Sequence, residues 1–116
     1  MEREAGRVAD VLTTVIDRAT AASHALVAAV SGKRVRVYGL YIRSAGTVTV
    51  TFEDDDGTNL TGPLDFAARE SLALAPLNDG HGGWLPYMVT QQGDGFNMLL
   101  SAGTQVSGLL WYSQED

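Results

Sequence analysis

The chain predicts an all-β fold, an antiparallel β-sandwich of jelly-roll-like type built from eight or nine short strands. Three observations lead there. Thr47 to Glu53 alternates strictly, with Val48, Val50 and Phe52 on one face and three threonines with Glu53 on the other, the pattern of a strand covering a core on one side only. Turn signals such as Ser31-Gly32-Lys33, Ser44-Ala45-Gly46 and Asp54-Asp55-Asp56-Gly57 recur at roughly ten-residue spacing, as in sandwiches and barrels. The 116 residues are 45% hydrophobic and include 13 glycines, which suits one turn-rich domain with a single core.

The elements follow in order. Val8 to Ile16 matches helical spacing at Val8, Val11, Leu12, Val15 and Ile16, but its β-branched content favours a strand. Residues 1–19 are expected to form an N-terminal arm or edge strand used for anchoring or exchange, and residues 20–116 the sandwich domain. Ala19 to Ser23 reads as a loop, His24 to Val30 as a strand, and Arg34 to Arg43 as a longer one. Asp56-Gly57 supplies the positive φ angle that closes a tight hairpin after Glu53. Leu64 to Ala67 and Ser71 to Leu77 are extended, Asn78 to Gly83 is a loop, and Pro86 marks Trp84 to Val89 as an edge segment. Gln91 to Gly95 is a turn. Phe96 to Ala102 and Gln105 to Tyr112 are expected to end the chain as a hairpin around Gly103-Thr104. Gln105 to Tyr112 is apolar on both faces, Val106, Leu110 and Tyr112 against Leu109 and Trp111, which leaves area to be covered by a partner or by the chain itself.

Charge narrows the partners. The net charge of −6 argues against general nucleic-acid binding, because phosphates would be repelled. Its distribution is uneven: residues 1–43 hold seven of the eight basic side chains and sum to +3, whereas residues 44–116 sum to −9. Such polarity steers one copy onto another or a basic region onto an acidic partner. No apolar run approaches the ~18 residues of a membrane span, and Met1 to Arg7 is too charged to open a secretory signal. A soluble chain that meets no membrane is expected. Cysteine is absent, which removes disulfides and thiolate chemistry and makes an intracellular site of synthesis the simpler expectation.

No constellation points to catalysis, and no cofactor is expected. His24 and His81 are the only histidines, and neither stands in a nucleophile motif. Gly80-His81-Gly82-Gly83 lacks the following lysine of a phosphate cradle. Asp54-Asp55-Asp56-Gly57-Thr58-Asn59 offers hard oxygen ligands, but an EF-hand register would put Phe52 at the first ligand place, so the expectation is a solvated hairpin tip and no metal. Trp84, Tyr87, Trp111 and Tyr112 suit either the core or a subunit interface, or else a sugar-stacking platform. The candidate interface is Arg34, Arg36 and Arg43 together with Trp84, Tyr87, Leu109, Trp111 and Tyr112.

Three blocks, Leu26 to Val37, Leu60 to Leu64 and Leu99 to Gly108, resemble small β-sandwich virion proteins of tailed bacteriophages, and the likeness covers roughly residues 20–113. The resemblance implies a non-enzymatic structural protein, a capsid decoration or cement subunit that binds and stabilises the head as a homo-oligomer, often a trimer. Its implied partners are its own copies and the major capsid protein, and its implied place is the capsid surface after synthesis in the host cytoplasm. A carbohydrate-binding or host-surface module of a tail or head fibre, with a host glycan as partner, is the alternative. The first nineteen residues, the acidic tip and the His81 loop lie outside the shared pattern.

Overall fold

The computed structural model describes residues 11–115, and among them there is no helix. Eleven strands follow in order: β1 (Leu12–Arg18), β2 (Ser23–Val27), β3 (Arg34–Ser44), β4 (Val48–Asp54), β5 (Leu64–Phe66), β6 (Ser71–Leu74), β7 (Leu77–Asn78), β8 (Trp84–Leu85), β9 (Met88–Val89), β10 (Phe96–Leu100) and β11 (Val106–Glu115). One sheet has the order β1-β11-β3-β6, with β9 also on β3; the other has the order β2-β10-β4-β5; β7 and β8 form a separate hairpin. All the pairings are antiparallel.

Set β7 to β9 aside, and the remaining strands pair first with last and so on inward: β1 with β11, β2 with β10, β3 with β6, β4 with β5. A long hairpin folded over onto two sheets in this way is the jelly roll. The strands that pair early and late parts of the chain gain nothing until most of it has collapsed, so the sandwich is held by long-range burial rather than by local turns. From one sheet Ile16, Val35, Val37, Leu40, Ile42, Val106 and Leu110 face inward; from the other come Val27, Val48, Val50, Phe52, Phe96, Met98 and Leu100, all buried. Phe52 and Phe96 stack at 5.4 Å between ring centres and fill the middle of the second layer.

Several local expectations meet their structure. Gly32 and Gly57 take φ of +79° and +80° in the turn before β3 and the turn after β4, where a Cβ would be strained. Asn78 to Gly83, read as a loop, is the tip of the β7–β8 hairpin, pinned by the Asp79 N–H to the Gly83 carbonyl at 3.1 Å. The strand read over Ser71 to Leu77 breaks after Leu74. Residues 1–10 of the expected arm lie outside the described residues. Leu12–Arg18 is an edge strand whose Ile16 is 1% exposed, so these residues belong to the sandwich core as well as to its rim.

One expectation is corrected. β10 and β11 do not form a hairpin: β10 lies between β2 and β4 in one sheet, and β11 between β1 and β3 in the other. The link between them is an arch from layer to layer, in which Ala102 packs on the core, the Ala45 N–H donates to the Gln105 carbonyl and Thr104 Oγ1 donates to the Thr47 carbonyl. A glycine turn between two apolar strands suits a hairpin and an arch equally, and the choice falls to the long-range pairing that each strand finds.

Candidate functional site

The outer face of the five-stranded sheet carries the feature that the sandwich leaves unsatisfied. Register places Val15 opposite Leu109, Leu109 opposite Tyr41, and Tyr41 opposite Ala73, so one row of apolar side chains crosses four strands and points away from the core. Val15 is 68% and Tyr41 40% exposed; Leu109 between them is half-buried. The next row is Thr13, Trp111 and Gly39. A Cβ at Gly39 would meet Pro76 Cγ and Trp111 Cε3, both at 3.0 Å, so glycine lets the proline and the edge of the indole both close onto the β3 backbone. That contact answers part of the surplus apolar surface of β11 from within the chain. Val15, Leu109 and Tyr41 remain open.

On the other side of this row stand Asp17, Ser107, Arg43 and Ser71. Arg43 and Arg69 line a shallow groove with Ser44, Ala45, Gln105 and Ser107. Arg69 holds φ +67°, with its N–H bonded to the Ser44 carbonyl at 2.9 Å. The face therefore combines an apolar stripe with a charged border in which Arg43 and Arg69 outnumber Asp17, the composition of an interface core beside a polar rim.

The residues singled out in the sequence divide among four places. Arg43, Leu109 and Trp111 share the outer face just described. Arg34 lies opposite Glu115, and Arg36 pairs with the Glu115 carboxylate at 3.5 Å, so the basic first half and the acidic second half of the chain partly neutralise each other where β3 meets β11. Trp84 and Tyr87 flank Pro86 on the excursion between β6 and β10, each a little over one-third exposed; the Tyr87 hydroxyl donates to the Ala75 carbonyl at 2.6 Å. Tyr112 turns inward and packs against the core. Val15 and Tyr41 were not singled out, although parity against the buried Ile16 and Ile42 would have found them.

The titratable groups are placed as follows. His24 Nε2 lies 2.8 Å from the Thr20 carbonyl, and His81 sits in the β7–β8 tip. Asp79 in that tip accepts the His81 and Gly83 N–H groups, which hold its carboxyl below the usual range. Tyr38 is the extra residue of a β-bulge opposite Trp111 and Tyr112; burial raises the pKa of its hydroxyl. One group of acids among the described residues has the spacing to hold a cation: Asp54, Asp56 and Asp94. The tip that they border is not wholly solvated, since Asp54 is 1% exposed.

Compared with protein-family models, with curated proteins and with solved structures, the chain matches none.

Proposed function

We propose that the chain is a non-enzymatic structural subunit, a decoration or cement protein of a tailed-phage head, whose copies associate as a trimer through the outer face of the five-stranded sheet. The observation that carries this reading is the open row Val15, Leu109 and Tyr41 on a rigid two-layer scaffold, bordered by Arg43. A row of this kind is costly to leave in water, at about 25 cal/mol for each Å² of apolar surface, and association removes the cost. The resemblance of the three sequence blocks supplies the biological setting, and jelly rolls serve in capsids as well as in lectins.

A glycan-binding fibre module would use Trp84 and Tyr87. Their rings are partly exposed, but the Tyr87 hydroxyl already donates its proton to the Ala75 carbonyl, which leaves it only as an acceptor and narrows how it could orient a sugar. The docking reading is preferred on that ground. Mass spectrometry of purified particles, with copy number, tests it. Stoichiometric copies per capsomer are expected; absence from particles, or a few copies together with glycan binding that Trp84→Ala abolishes, would overturn the reading.

A further inference from the structure

Asp54 ends β4 on the same parity as Val48, Val50 and Phe52, so its side chain turns inward and the residue is 1% exposed. Its Oδ1 accepts the backbone N–H groups of Asp56 and Thr58, each at 3.1 Å. Its Oδ2 is sealed from solvent and accepts no hydrogen bond. A buried carboxylate oxygen in that condition has lost its hydration without a replacement, a state that folded proteins avoid unless a charge or donor compensates it.

Asp94 adds a second such oxygen. It lies two residues before Phe96, which pairs in register with Asp54, and its own Oδ2 is buried without a donor. Asp56 reaches back from the turn, and one carboxylate oxygen from each of the three residues lies within 4.8 Å of the others. Among the described residues no cationic side chain pairs with any of the three.

The acids are held in place from behind. Asp55 accepts the Gly95 N–H at 2.9 Å and Asn97 Nδ2 at 3.2 Å, which ties the turn after β4 to the entry of β10. The Gly57 N–H donates to the Asp54 carbonyl at 3.1 Å with Gly57 at φ +80°, so the turn itself is closed. The Asn97 side-chain oxygen is a third buried acceptor that receives nothing.

We propose that Asp54, Asp56 and Asp94 bind a divalent cation, calcium, which fastens the turn after β4 to the start of β10. The donors are hard oxygens without histidine or cysteine, which excludes zinc-like preference and fits calcium or magnesium. Calcium is favoured because it accepts irregular sets of six to eight oxygens at about 2.3–2.6 Å, and oxygens within 4.8 Å of one another are bridged by such bonds. The exposed side chain of Asp56 leaves room for waters to complete the shell.

The test is calorimetric titration and thermal melting of the full chain, stripped with chelator, against calcium chloride and magnesium chloride. One calcium ion per chain is expected, with a rise in melting temperature on the order of 10 °C when calcium stands about a hundredfold above its dissociation constant. Asp56→Asn and Asp94→Asn should fold without metal, since each removes repulsion, and should bind calcium at least about tenfold more weakly. Absence of heat and of any melting shift at ~10 mM calcium, beyond the weakest range of built sites, would overturn the proposal. So would variants that respond as the parent does, or a larger response to magnesium than to calcium.

Discussion

The Tyr38 hydroxyl lies 2.9 Å from Ser113 Oγ, joining the bulged residue of β3 to the last third of β11. Both residues are buried, at 1% and 0% exposure, and Ser113 Oγ passes the chain of bonds on to the Glu115 carboxylate at 2.7 Å. The bulge is thus anchored through a side-chain network where its ladder bonding is interrupted, and the same carboxylate meets Arg36.

Tyr38→Phe should therefore destabilise the fold by about 1–3 kcal/mol, because the Oγ of Ser113, a residue 0% exposed, loses a buried hydrogen-bond partner. Urea unfolding followed by circular dichroism measures it. The pH dependence has a definite sign. Burial raises the Tyr38 pKa above 10.0, so the folded chain holds this proton more tightly than the unfolded one. That contribution is complete below pH 10.0, declines as the unfolded tyrosine ionises, and is gone once pH passes through the higher folded value. Tyr38→Phe should lose this alkaline component of the stability curve and keep the rest.

Gly108 separates packing from turn chemistry. A Cβ there would fall on the Tyr41 carbonyl oxygen, a backbone atom that cannot rotate aside, at the point where β11 and β3 pair Gly108 with Ile42. Gly108→Ala should cost more than about 2 kcal/mol. Gly62→Ala, where a Cβ meets nothing within 4 Å, should stay within about 0.5 kcal/mol of the parent. Parallel denaturation curves decide it; equal effects at the two positions would contradict the register of β11 against β3.

Much of the fold was legible because local patterns and tertiary structure agree. The alternation Val48, Val50, Phe52 is the inner face of β4, and the glycines at 32 and 57 occupy turns that need positive φ. The arch between β10 and β11 was not legible, since Gly103-Thr104 carries no mark that separates a hairpin from a crossing between layers. Asp54 is a different case. Three consecutive aspartates read as a solvated tip, yet the first of them continues the inward parity of β4 by one more step, and that signal was overridden by composition. The open row on the outer face was half visible: Leu109 and Trp111 stood out as surplus apolar residues, while parity beside Ile16 and Ile42 turns Val15 and Tyr41 outward but only the strands that flank β11 join them into one row.

The docking of the outer sheet face is tested most directly by light scattering coupled to size exclusion on the isolated chain and on Val15→Glu with Tyr41→Glu. The parent should elute as a trimer, and the double variant as a monomer with an unchanged circular dichroism spectrum, because both side chains point away from the core. A parent that stays monomeric at every concentration, or a double variant that still assembles, would contradict the account.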